Sequence, residues 1–151
     1  MVLGVRPYRP AGRQASIRRG SPAERPDATY PYVLTTGRTL EHWHTGAMTR
    51  RASNLDALEP EPFVSMNSLD LRKHGVEAGD HVRVAIRRGE IELMVRQDNA
   101  VPAGVIFVPF CYVEAAANVL TNPQLDPFGK IPEFKFCAAR VEPLAVPAAA
   151  E

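Results

Sequence analysis

The sequence predicts a mainly β chain with short helices (α+β), folded as a closed or nearly closed β-barrel. Three observations carry that expectation. Short runs of β-branched or alternating apolar residues are separated by turn signals, only brief stretches carry helix signals, and no internal repeat divides the 151 residues. A chain of this length suits one domain that buries roughly 70% of its unfolded surface.

The elements follow in order. Order is expected to begin near Tyr30. Tyr32-Val33-Leu34-Thr35-Thr36 is a β-branched run ending at Gly37, a strand that enters a loop. Residues 38–51 hold His42, Trp43, His44, Thr45 and Gly46 in neither strand nor helix period, and read as a structured loop running into a short helix. Pro60 and Pro62 break the chain before a strand at 63–66. Asn67 is a candidate N-cap, and Asp70 stands in the first turn, where the positive helix end favours a carboxylate. That helix carries Leu69 and Leu71 and should stop at His74-Gly75, with residues 76–80 as a turn. Val82, Val84 and Ile86 alternate with Arg83 and Ala85, as in a half-buried strand. Arg88-Gly89 turns the chain into a partner strand at 91–95. Residues 105–108 form a further apolar strand ending at Pro109, Ala115-Ala116-Ala117 favours a short helix, and residues 133–141 alternate as a last strand.

The charge is uneven. Residues 1–29 hold Arg6, Arg9, Arg13, Arg18, Arg19 and Arg25 against Glu24 and Asp27, a net of +4, while the remainder carries 12 basic and 15 acidic residues. Residues 1–29 are rich in proline and glycine and lack interleaved aromatics and lysines, so a disordered basic linker is expected there rather than a nucleic-acid surface. The domain should cover residues 30–143, followed by an Ala/Pro-rich tail at 144–151. No apolar run approaches the roughly 20 residues that span a bilayer. The basic N-terminus has no apolar stretch after its charges, and the chain is expected to be cytoplasmic. Two cysteines, Cys111 and Cys137, are too few for an iron–sulfur cluster held by four thiolates, and in a reducing compartment they are expected as two free thiols.

Three segments together resemble one family. They are Thr35-Thr36-Gly37-Arg38-Thr39-Leu40-Glu41-His42-Trp43-His44-Thr45-Gly46-Ala47-Met48-Thr49-Arg50; Asn67-Ser68-Leu69-Asp70 with Gly75-Val76-Glu77-Ala78-Gly79-Asp80-His81-Val82; and Phe110 with Ala115-Ala116-Ala117-Asn118, Asp126-Pro127 and Glu133-Phe134-Lys135-Phe136-Cys137-Ala138. The chain resembles the molybdopterin oxidoreductases of the dimethyl sulfoxide reductase type over residues 30–143, and is most similar to the formate dehydrogenase alpha subunit. The resemblance implies the C-terminal domain of such an enzyme, a double-psi β-barrel of the aspartate decarboxylase-like class that binds molybdopterin guanine dinucleotide. It also implies partners: the catalytic domains or subunits that carry the molybdenum or tungsten ligand and the iron–sulfur cluster. No membrane partner is implied.

Within that pattern the loop of Thr36, Gly37, Arg38, Glu41, His42, Trp43, His44 and Thr45 is expected to contact the cofactor, with Asn118 and Lys135 joining from distant sequence. Gly37 lets backbone approach a ligand without a Cβ, and Arg38 offers a planar set of donors for phosphate. The plain alternative is a solvated arginine after a turn. His42 and His44, two apart, would point the same way in an extended loop, but no carboxylate or cysteine is spaced to complete a zinc site, and no metal is expected on protein ligands. Trp43 is either core or a stacking surface. Asn118 is expected in a short helix and Lys135 on the last strand; a carboxamide can match a purine or pterin edge. Phe110 falls where related nitrate reductases approach substrate, or else packs in the core. No residue here is expected to be catalytic.

The leading expectation is therefore a cofactor-binding module of a formate dehydrogenase-like oxidoreductase. The alternatives are a nitrate reductase-like module of the same family and a non-enzymatic partner protein that docks through its basic tail. A self-cleaving decarboxylase on the same barrel would need a Gly-Ser bond on a strand, and Gly20-Ser21 is the only such pair.

Overall fold

A computed structural model describes residues 22–144. The arginines at 6–19, the Gly20-Ser21 pair and the tail from 145 onward lie outside the described residues, and with them the readings placed there.

Six strands close into a barrel: β1 (Tyr32–Gly37), β2 (Phe63–Met66), β3 (His81–Ala85), β4 (Glu90–Gln97), β5 (Val105–Pro109) and β6 (Cys137–Pro143). Around the barrel they run β1-β5-β2-β4-β3-β6. Two pairs are parallel, β1 with β5 and β2 with β4; the other four neighbours are antiparallel. This is the double-psi β-barrel. Parallel neighbours cannot be joined by a tight hairpin, so the chain between them must cross the ends of the barrel.

Strand alternation fills the interior. Leu34, Val64, Met66, Val82, Val84, Leu93, Val95, Ile106 and Val108 are all buried and belong to one core. A smaller cluster of Phe63, Cys111 and Tyr112 lies outside it, with Met94 and Phe107 packed on it. Both cysteines are free and buried, and burial pushes each thiol's pKa up, so neither is a ready nucleophile.

Helices are few and short. The 38–62 connection carries a 3₁₀ turn at Thr49–Arg51 and the helix α1 (Ser53–Leu58). Helix α2 (Ser68–His74) begins where the Asn67 side chain accepts from the Leu69 N–H and ends at Gly75 in the left-handed conformation, as the local signals require. Two differences from the sequence reading bear on the site. The Ala-rich helix is a 3₁₀ turn at Ala117–Leu120. The last strand begins at Cys137, so Lys135 precedes it. Residues 122–136 instead close on themselves: Leu125 bridges Pro132, Lys130 adopts φ 55, and the Asn122 carboxamide holds Glu133 Oε2 at 2.9 Å and Phe136 O at 3.2 Å. An alternating pattern cannot outweigh those specific bonds.

Residues 22–30 lie against the barrel. Glu24 pairs with Arg87 and Arg88 and Asp27 with Arg87, while the Tyr30 ring sits under the Arg87 and Arg140 guanidiniums.

Helix α2 is tied to β1 by a buried polar cluster. The Tyr32 hydroxyl lies 2.7 Å from His74 Nε2 and 3.5 Å from Asp70 Oδ1, and Asp70 Oδ2 accepts from the Gly104 N–H at 2.8 Å. Burial, helped by Asp70, pushes Tyr32 up to about 12. Burial lowers the pKa of His74; Lys73 adds to the effect and Asp70 opposes it. A histidine depressed in the folded state contributes stability that is complete above its unfolded pKa, about 6.5, and is lost as pH falls through the folded value. Urea unfolding at about pH 7.5 and about pH 5.5 should therefore show a fall in midpoint for the wild type and a smaller fall for His74→Gln. Equal falls would remove His74 from the acid response.

Candidate functional site: a cationic cleft at one end of the barrel

The site follows from the strand pairing. Because β1 and β5 are parallel, in register from Val33 with Val105 to Gly37 with Pro109, the loops that follow both strands leave from one rim. Because β6 runs antiparallel to β1, with Leu34 opposite Cys137, the residues just before β6 reach the same rim. Three segments remote in sequence thus converge: 38–45, 110–121 and 134–135.

Between them lies a cleft of about 570 Å³, a size suited to a small-molecule ligand. It is lined by Thr36 and Gly37 at the end of β1, by Arg38, His44 and Thr45 of the loop that follows, by Phe110, and by two walls drawn from remote segments, Phe134 with Lys135 and Asn118 with Thr121. Two cations face this cleft, and its lining holds no aspartate or glutamate.

The fixed bonds show what is left for a ligand. Thr36 is spent on structure: its hydroxyl donates to Phe134 O at 3.0 Å, and its carbonyl accepts from Lys135 Nζ at 2.8 Å. That bond uses one of three ammonium donors and keeps the charge at the end of β1. Arg38 is exposed; its Nη2 donates to the His44 ring at 3.1 Å, and its guanidinium sits 5.3 Å from the Trp43 centroid. Asn118 spends its backbone carbonyl on the Thr121 hydroxyl at 2.9 Å, and its side-chain carboxamide has no hydrogen-bond partner among the described residues.

His42 and His44 do not share a face. His44 has φ 50, so the loop turns sharply there instead of extending. His42 points inward: it is 1% exposed, its Nε2 donates to Glu59 O at 2.8 Å, and its ring meets Tyr112 edge-on. Only His44 reaches the cleft, and His42 fixes the loop from beneath. Trp43 is 56% exposed and meets the His44 ring at 4.4 Å, so the core alternative for it is wrong; it is an open aromatic surface beside Arg38. Glu41 is half-buried and lines neither this cleft nor the one that adjoins it. Among the described residues no three His, Cys, Asp or Glu side chains gather in a group that could hold a metal.

Gly37 has a structural reason that the sequence reading missed. A Cβ there would lie 2.4 Å from Phe107 Cε2, so the glycine admits a neighbouring aromatic ring as well as bordering the cleft.

Sequence reasoning also missed Thr121 and Phe134, and an adjoining cleft of about 510 Å³ that shares Thr45, Phe110 and Asn118 with the first. The second cleft is mixed in charge, with Arg50, Arg51 and Glu114. Burial, the largest single influence, opposes ionisation of Glu114, but the Arg50 hydrogen bond and charge together with backbone hydrogen bonds from Val113 and Glu114 outweigh it and hold the carboxyl below its ordinary pKa. Arg50 also holds Asp56 at 2.9 Å and the Tyr112 ring at 4.9 Å, which ties the 38–62 connection to the segment after β5. No local sequence signal marks that pairing.

Comparisons with known proteins agree with this geometry. Residues 32–138, more than half of the chain, match the family described as "Molydopterin dinucleotide binding domain". The chain is 50% identical over 120 residues to the F420-dependent formate dehydrogenase subunit alpha of Methanocaldococcus jannaschii, covering 80% of this chain and 18% of the relative. It is 44% identical over 131 residues to the F420-dependent formate dehydrogenase 1 subunit alpha of Methanococcus maripaludis, covering 87% of this chain and 19% of the relative. The chain therefore spans about a fifth of the length of these relatives. Among solved structures, acetylene hydratase from Pelobacter acetylenicus shares the fold with a TM-score of 0.69 at 18% identity, over 76% of this chain and 18% of that one.

The clash at Gly37 can be tested directly. Gly37→Ala should cost about 1–3 kcal/mol of stability by overpacking, and adding Phe107→Leu should restore much of it. Unfolding of the three variants checks this, and an unaltered midpoint for Gly37→Ala would show that the ring has room to move.

Proposed function

The chain belongs to the molybdopterin dinucleotide-binding domain family, and from that premise we propose that molybdopterin guanine dinucleotide lies along the cleft at the end of β1. The observation that carries this reading is the lining itself, two cations and a free carboxamide with no carboxylate, and the exposed Trp43 ring stands beside it against Arg38 and His44. A pyrophosphate joined to two heterocycles needs this mixture.

The residues divide the work by their chemistry. Arg38 presents a planar fork of donors, suited to phosphate oxygens. Lys135, held by Thr36 O, offers its two remaining donors from a fixed position. The Asn118 carboxamide supplies donors and an acceptor for a purine or pterin edge. His44 and Thr45 border the same space, and Trp43 beside them offers a face for stacking. When bound, the cofactor supplies the metal and the two-electron chemistry; the protein supplies retention and orientation.

Within a larger assembly the module would serve a formate dehydrogenase-like molybdenum or tungsten oxidoreductase that interconverts formate and carbon dioxide. The relatives' names support that reading, as does their length, which leaves room for other domains or subunits to carry a metal ligand and an iron–sulfur cluster. Phe110, at the junction of the two clefts, is the residue we place nearest the substrate. We also propose a cytoplasmic setting, where the two buried free thiols would stay reduced.

Titration calorimetry of the full chain with molybdopterin guanine dinucleotide, and with GMP as surrogate, tests the site. Arg38→Ala should weaken binding of the dinucleotide by about ten- to hundredfold, the worth of one charge-assisted contact. Its unfolding midpoint should not change, because Arg38 is exposed. Undiminished affinity in Arg38→Ala would overturn the phosphate role, and no binding by the folded wild type would overturn the preformed site.

A further inference from the structure

The segment before β1 is linked to both walls of the cleft through Arg88 and Glu133, although it lies outside the matched family region. Glu24 is 15% exposed and grips the Arg88 guanidinium with both oxygens. Arg88 Nε in turn donates to Thr121 O at 3.2 Å, and Thr121 lines the cleft. The β3–β4 turn also presses on the 3₁₀ turn that carries Asn118: a Cβ on Gly89 would lie 2.4 Å from Val119 Cγ1. One residue earlier in the chain, the Ala23 N–H donates to Glu133 Oε2 at 3.2 Å. The same oxygen accepts from Asn122 Nδ2, and Glu133 directly precedes the wall of Phe134 and Lys135.

We propose that Ala23 and Glu24 form a brace that sets the spacing of the two cleft walls, with Glu24 a positioning residue for Asn118 and the bond from Ala23 positioning Lys135. The brace acts through other residues and touches no ligand. Three features make it more than surface pairing. Glu24 is more enclosed than the exposed Asp27, which pairs with Arg87 and not with Arg88. The Arg88 guanidinium bridges a carboxylate and a backbone carbonyl, so loss of Glu24 frees the donor that holds Thr121. The Arg88 hydrogen bond, with help from both guanidinium charges, holds the Glu24 carboxyl below its ordinary pKa, so the grip is ionised near neutrality.

The inference deepens the cofactor reading, and the test separates the two. The full-length chain and the variants Glu24→Gln, Asp27→Asn and Asn118→Ala are compared by hydrogen exchange without ligand and by GMP titration. The brace predicts faster exchange at residues 117–121 and 133–136 in Glu24→Gln, with Asp27→Asn like the wild type in both measurements. It predicts GMP affinity lowered about three- to thirtyfold in Glu24→Gln, the range for residues that act through others. It also predicts that Glu24→Gln adds little further loss in an Asn118→Ala background, whereas a general loss of stability would act equally in both. Unchanged exchange at both walls, or exchange raised throughout the barrel, overturns the brace. If the wild type does not bind GMP, the cleft reading fails while exchange still decides the brace.

Discussion

The parallel pairing of β1 with β5 is the constraint from which the rest of the structure follows. In an antiparallel barrel, successive loops alternate between the two ends. Here two strands far apart in sequence end side by side, so residues after Gly37 and after Pro109 leave from one rim. The antiparallel β6 then delivers Lys135 to that rim from the opposite chain direction. A site assembled from three chain segments needs no long excursion, only the register of one strand pair. The constraint is firm because interior alternation fixes the register: a slip of one residue would turn Leu34 and Ile106 out of the core.

That pairing also explains why the site is a cleft and not a filled end. Thr36 and Gly37 stop β1 at a point where Phe107 takes the space a side chain would have used. The backbone carbonyl of Thr36 is then open to one donor, and Lys135 takes it. The ammonium is thereby held near a dipole that stabilises it, and the loop bearing it is closed down on β1. Charge and shape are fixed by the same hydrogen bond.

Much of this was legible from sequence, and the parts that were not share a cause. The N-cap Asn67, the stop at Gly75 and the five strand positions from 32 to 108 depend on residues within a few places of one another, and local chemistry decides them. The resemblance placed Arg38, His44, Asn118 and Lys135 together, and the cleft gathers all four. It grouped His42 with them, but His42 has an inward partner in Glu59 O, 17 residues on, that spacing cannot reveal. Alternation over residues 133–141 reads Lys135 into a strand; the Asn122 carboxamide, tied to Glu133 and Phe136, delays the start of that strand to Cys137. Glu24 read as part of a basic linker because its partner is 64 residues away.

These misses lie at contacts between loops, where function is concentrated. A barrel strand is specified many times over, by period, by β-branching and by each neighbour in the core. A loop wall is specified by one or two bonds to remote residues, and here those bonds lie outside the barrel core. A binding site therefore depends on the interactions that composition and period describe least. For this chain those interactions are the Arg88 bridge to Thr121 and the lysine on Thr36, one on each side of the cleft. The barrel can retain its fold through substitutions that would let the walls drift apart, so the affinity of the site and the stability of the fold should be separable properties of this sequence.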